Sequence, residues 1–356
     1  MTTVQNAGSH GPRRGSAVSS LVSMARQLAV PGLIAAIVTG IAFATTRLSG
    51  PFGMFVLWAA CSLLGLYVFT RRSQGRMAAT DAVASVTLGF AALLVVTALG
   101  FIVGFVLLKA IPFVRLNFFT QTLEGIDPDS PATQGGALHA IVGTTAQVLI
   151  ATLISLPFGV LTAVYLNEIG GRLAGVVRVV IDAMSGIPSV VAGLFIYSIW
   201  VVQGGFGYSG LAAGLALAVL MLPTVARTTE EMLRLVPGGL RESALALGAP
   251  EWRTALQVVL PTAKVGIVTA VILGIARVAG ETAPLLMTAF GNDRVNVVQT
   301  ATEPQSALPL FVYQQFTSAQ GSAVDRAWVG AFVLIALVLV LFLIARVIGR
   351  SKTARL

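Results

Sequence analysis

Between Asp81 and Lys109 the chain reads AVASVTLGFAALLVVTALGFIVGFVLL (residues 82–108), with no formal charge anywhere in it. At ~1.5 Å per residue such a helix is about 40 Å long, longer than the ~30 Å hydrocarbon core of a bilayer, so it must tilt or project. The run is continuously apolar and does not alternate, which marks a membrane-spanning helix and not a barrel strand. Seven further blocks of this kind lie to either side, at 28–46, 53–70, 138–165, 187–203, 210–226, 263–283 and 327–345. Of the 356 residues, 56% are hydrophobic and 10% charged, where soluble domains carry about 25% charge. The expected fold class is an all-α polytopic membrane protein.

The net charge is +9, from 23 Lys and Arg against 14 Asp and Glu. In a soluble protein that balance would suggest nucleic acid. Here the basic residues flank apolar blocks, so membrane lipid is the expected partner and nucleic acid is not. With the N-terminus inside, 17 of the 23 fall in inside segments and five outside, leaving Arg277 within a span. This bias places both termini in the cytoplasm. Residues 1–27, rich in Ser, Gly and Arg, are expected to be a disordered cytoplasmic tail. Residues 347–356 form a second tail. Ala42-Phe43-Ala44 looks like a leader cleavage site, but the run before it is long for a leader and is read as a span. Two outer loops are expected, at about 110–137 and 284–326. The first carries Glu124, Asp127 and Asp129 without the ligand series of a calcium loop, and reads as solvated.

Several chemistries are missing. There is no G-x-x-x-x-G-K-[ST] phosphate loop, no H-E-x-x-H and no G-x-S-x-G. The histidines are His10 and His139, the latter read as an interfacial residue, and Cys61 stands alone. No enzyme, no metal centre and no cofactor bound by this chain is expected.

A segment with a shape of its own separates the blocks at 210–226 and 263–283. Charges begin at Arg227, and Met232, Leu233 and Val236 recur on one helical face until Pro237-Gly238-Gly239 stops the helix. A second short helix starts near Leu240 and stops at Gly248. Ala249-Pro250-Glu251 opens a third, since proline suits a first helical turn; it presents Trp252, Leu256 and Val259 and meets Leu260-Pro261. Such an elbow is either a docking knob for a cytoplasmic partner or an amphipathic segment on the bilayer surface.

Within the block at 263–283, Arg277 and Glu281 are the charged residues, four apart and expected on one helix face. Counted from Val265 they sit about 18 and 24 Å into the membrane. A central arginine costs roughly 2.5–3.5 kcal/mol to insert, so such residues are functional candidates. The alternative is a self-paired bridge within the bundle. Gly100/Gly104 and Gly210/Gly214 have the spacing of close helix packing, which is as well explained by chance.

Glu242-Ser243-Ala244, three residues, Gly248, nine residues, then Val258-Val259-Leu260-Pro261 resembles the E-A-A-x3-G-x9-I-x-L-P loop of type I ABC importer permeases, with Ser243 and Val258 as departures. Ser185–Leu194, Leu222–Glu231 and Ala276–Leu286 are similar to stretches of PstA-type permeases of phosphate-specific importers. The resemblance covers roughly residues 82–346. It implies a six-helix permease core at 81–346 with its coupling loop at 227–261, in a bacterial plasma membrane. The extra hairpin at 28–80 departs from that pattern. The resemblance further implies that Glu242, Ser243, Ala244, Gly248, Leu260 and Pro261 meet an ATPase subunit that uses ATP and Mg. Arg277 and Glu281 would then lie on the phosphate path, and Arg227 and Glu230 at a coupling interface. The partners implied are a homologous PstC-type permease, two PstB-type ATPases and a PstS-type extracytoplasmic phosphate-binding protein. A permease for sulfate or molybdate, a secondary transporter and a non-transporting scaffold remain open.

Overall fold

The computed structural model describes residues 33, 35–40 and 51–349, apart from 128, 298, 319 and 320. Most of the expected first span and both tails therefore lie outside the described residues. Among the described residues the secondary structure is helical, with one isolated bridge between Phe290 and Gln305. Among the described residues, five helices are long and apolar enough to cross a membrane, or up to seven if each of two bent helix pairs is one span. The chain divides into two compact units, Met1–Ile102 and Val103–Leu356.

The first unit holds α1 (Pro51–Gln74) and most of α2 (Arg76–Ala110). Gly75 alone joins them, at φ +92°, a left-handed value that glycine adopts without steric cost. Only 6% of the most apolar window of α2 is buried. Leu93, Val95, Val96 and Phe101 stand exposed, as expected of a lipid-facing surface.

The second unit is built around α7 (Gly210–Arg234), of whose apolar window 67% is buried. Around it pack α4 (Leu138–Val164), α5 (Ala174–Ser185), α6 (Ser189–Ile196), α10 (Lys264–Val278) and α11 (Ala283–Thr288). Small residues let backbones approach closely. A Cβ at Gly214 would lie 2.6 Å from Ile150 Cγ2, and one at Gly210 would collide with the Gln305 side chain. The Gly210/Gly214 pair is thus a packing contact. Gly100 and Gly104 share its spacing but face open space. The core of the unit centres on Leu217, Leu220, Met221, Val225 and Leu285.

Two expected spans, 187–203 and 263–283, begin at sharp bends. α5 meets α6, which continues to Gln203, at 105°, and the wide helical segment Glu251–Thr262 meets α10 at 73°. The block at 263–283 is also not one helix. α10 ends at Val278, and α11 restarts at Ala283 with Pro284 in its first turn. Pro284 has no N–H for the carbonyl four residues back, and its ring would strike that carbonyl, which belongs to Gly280.

The two outer loops are more ordered than expected. The segment 284–326 carries α11 and also α12 (Leu308–Thr317), whose Leu308, Leu310 and Phe311 are buried. Residues 110–137, which carry α3 (Asn117–Thr120), pack rather than float. Phe118 and Leu123 are buried in a cluster with Phe311 and Val329. Backbone bonds Ala137 N–H to Phe118 C=O (2.8 Å) and Leu138 N–H to Gln121 C=O (3.1 Å) fold the loop back. The chain closes with α13 (Gly321–Gly349).

Candidate functional site

The elbow forms as its turn residues dictate. α7 runs past the last apolar turn to Arg234, Pro237 precedes α8 (Gly238–Ala246), and Gly248 takes φ +82° before the next helix, α9 (Glu251–Thr262). Ala163, Val164, Leu233, Val236, Ala255 and Val259 form its own apolar core, with Leu260 packed against it. The elbow is therefore seated on the end of α4.

Arg241 fastens it. Its Nε donates to Glu168 Oε2 at 2.9 Å and Nη2 to Oε1 at 2.8 Å. Nη1 and Nη2 also donate to the Val236 and Leu233 carbonyls at 2.8 and 2.7 Å. These carbonyls belong to the end of α7, where helical partners run out. One guanidinium thus ties α8 to the ends of α4 and α7. The hydrogen bond to Glu168 raises the Arg241 pKa further above its already high value, despite partial burial. The fold turns Arg241 inward, toward an acid 73 residues away.

The outer side of the elbow is apolar. Leu247 is 89% exposed and Trp252 55%, with Leu245 and Leu256 also exposed. The Arg253 guanidinium lies 5.4 Å from the Trp252 ring centroid. Glu242, Ser243, Gly248 and Pro261 are exposed on this surface, and Ala244 is half-buried. Ser243 Oγ donates to its own helix at Gly239 C=O, 2.7 Å.

Arg227 and Glu230, expected at an interface, are engaged inside the chain. Glu230 is 2% exposed, and its Oε1 accepts from Arg178 Nη2 at 2.7 Å and Arg234 Nη2 at 2.6 Å. Arg227 pairs with Asp182. Arg178 and Asp182 are one turn apart on α5, so two ion pairs zip α5 to α7.

The break between α10 and α11 holds the other charged pair. Arg277, in the last turn of α10, is exposed, and its Nη1 donates to Thr224 Oγ1 on α7 at 3.0 Å. Glu281 is half-buried in the unwound segment, its N–H bonded to Val278 C=O at 3.2 Å. The shared helix face expected for the two does not exist, because the helix stops between them. No ion pair joins them, so the self-paired bridge is not formed. Unwound backbone at membrane depth is tolerated only when buried in protein or lining water. The three segments singled out in the sequence converge here: α6 and α7 both pack against α11, and α10 packs against α7. A Cβ at Gly193 would lie 2.6 Å from Pro284 Cα, which measures how closely α6 approaches.

Further buried polar groups were not legible beforehand. Gln147 Nε2 donates to Gln305 Oε1 at 3.1 Å, and Gln305 Nε2 to Asn296 C=O at 2.6 Å. His139 is 1% exposed and packs edge-on to Phe311 at 5.8 Å, so its ring is buried within the protein. Among the described residues no His, Cys, Asp and Glu group could hold a metal.

A helical membrane bundle with an apolar knob fastened to its base and unpaired charges at a mid-span break is a permease-type transport subunit. The chain belongs to the family of binding-protein-dependent transport system inner membrane components, whose model matches residues 155–353, and within it to the PstA permeases. It is 41% identical over 242 residues to phosphate transport system permease protein PstA 1 of Mycobacterium tuberculosis (strain H37Rv), covering 68% of this chain and 78% of that one. It is 40% identical over 247 residues to PstA of Pasteurella multocida, covering 69% and 85%. A solved methionine ABC transporter, MetNI, in an inward-facing conformation aligns at TM-score 0.46 and 23% identity, over 60% of this chain and 93% of that chain.

Proposed function

We propose that this chain is one of two membrane subunits of an ATP-driven importer of inorganic phosphate, working by alternating access. The observation that carries the reading is the break at 279–282. It leaves Arg277 and Glu281 without a charged protein partner at a depth where an unpaired charge is costly. Arg277 supplies positive charge to the passing anion. Glu281 accepts a hydrogen bond from a protonated phosphate oxygen and repels sulfate, which has no proton to give at neutral pH. The naming of relatives at about 40% identity as phosphate permeases supports the substrate.

The elbow is the coupling surface. Glu242, Ser243, Ala244, Gly248, Leu260 and Pro261 belong to a knob that docks a PstB-type ATPase on the cytoplasmic side, where both termini also lie. Two such ATPases bind ATP and Mg; this chain has no phosphate loop of its own. A PstC-type permease completes the path, and a PstS-type protein delivers phosphate from outside. Arg241 makes the elbow a stiff lever, and a packed elbow transmits displacement where a tether would absorb it. Arg227 and Glu230 hold α5 and α7 together behind it.

The test is purification of the assembled complex from membranes and phosphate uptake into vesicles. The expected result is co-purification of an ATPase and uptake that requires ATP. Uptake that persists with the ATPase inactivated would favour a secondary transporter and overturn the reading.

A further inference from the structure

Six helical threonines share a habit, whereas the buried Thr229 and Thr254 hydroxyls find no hydrogen-bond partner. Thr144, Thr145, Thr152, Thr162, Thr269 and Thr288 each donate the hydroxyl proton to the carbonyl four residues back, at 2.7–2.9 Å. That bond uses the only donor the side chain has. Thr224 breaks the habit. Its Oγ1 makes no bond to the Leu220 carbonyl and instead accepts from Arg277 Nη1 at 3.0 Å. A hydroxyl has one donor and two acceptor positions. With Oγ1 engaged as acceptor, its proton is still available, beside an exposed guanidinium and one packed helix away from Glu281.

We propose that Thr224 is a second oxyanion ligand of the path, its hydroxyl holding Arg277 in place with a lone pair while donating its proton to a tetrahedral oxyanion. The inference rests on the reading of Arg277 as a path residue. The chemistry balances without any covalent step. The anion receives donors from Arg277 and from Thr224, on two different helices. Pro223 sits beside Thr224 inside α7, so the local helical ladder already lacks one N–H donor there.

The test uses the assembled complex in vesicles, with inorganic phosphate as probe and its delivery protein at saturation. Thr224→Val keeps the shape and removes only the hydroxyl; Thr224→Ser keeps the hydroxyl. The expected result for Thr224→Val is a fall of about tenfold in maximal uptake, the size of one hydrogen bond to a charged group. Thr224→Ser should stay within about twofold, and both variants should assemble at the wild-type yield. Full uptake by Thr224→Val together with loss of uptake by Arg277→Gln would overturn the inference and leave the path reading standing. Full uptake by both would overturn both. Equal losses in Thr224→Val and Thr224→Ser would assign the effect to packing and overturn the hydroxyl's role.

Discussion

The elbow at 235–262 and the break at 279–282 are neighbours in the chain and opposites in construction. At the elbow every charge that turns inward is satisfied: Arg241 makes contacts to a carboxylate and two carbonyls, and Glu168 is 8% exposed. At the break the charges are left open, with Arg277 held by one neutral hydroxyl and Glu281 by none of its side-chain atoms. The first region is built to keep its shape. The second, on the proposed reading, offers its charges to the passing anion. If so, stability and transport are carried by different residues in this fold, and mutations should separate them.

Arg241→Ala should give the largest effect. It strips a partner from the buried Glu168 and uncaps the end of α7, at a cost of about 3–5 kcal/mol. A lower yield of assembled complex and a lower midpoint of thermal unfolding would register it. A midpoint unchanged from wild type would mean that the elbow does not depend on this anchor. Next comes Gly193→Ala, whose new methyl meets Pro284 Cα. Overpacking of this kind costs about 1–3 kcal/mol, and Gly100→Ala, facing open space, should cost nothing measurable. Equal shifts for the two glycines would break the distinction between packed and lipid-facing positions.

Smaller still on stability are the open charges and the outer knob. Arg277→Gln should leave thermal stability within about 0.5 kcal/mol, as for substitutions away from packed features, while abolishing uptake. Leu247→Asp should be as mild on stability, since Leu247 is 89% exposed, and should release the ATPase in pull-down experiments. Retained ATPase with Leu247→Asp would move the docking surface elsewhere.

The same contrast explains what was legible in the sequence. The elbow's stops and starts, Pro237, Gly248 and Pro250, act through local backbone geometry, so spacing alone located its helices to within a residue or two. Spans were legible because hydrocarbon length imposes them. The ion pairs Arg178–Glu230 and Asp182–Arg227 join residues 52 and 45 positions apart, and no local pattern announces them. The break inside the block at 263–283 was not legible. Pro284 signals an interruption, but α10 stops at Val278, six residues earlier, where packing of α11 against α6 and α7 takes over. Gly210/Gly214 and Gly100/Gly104 carry one spacing and opposite surroundings, because the partner helix, not the motif, decides contact. The packed outer cap, with α12 and the buried Phe118, was hidden for a related reason: its apolar residues are too few per stretch to stand out beside membrane spans.

The central claim, that residues 279–282 face a water-filled phosphate path, is tested most directly by thiol accessibility. Cys61 is the chain's one cysteine, so Cys61→Ser gives a clean background for Glu281→Cys, with Leu93→Cys on the exposed face of α2 as the lipid-facing reference. The account predicts that a membrane-impermeant anionic thiol reagent labels Glu281→Cys in assembled complexes far faster than Leu93→Cys, and that phosphate slows the labelling. Labelling of Glu281→Cys no faster than Leu93→Cys would contradict it.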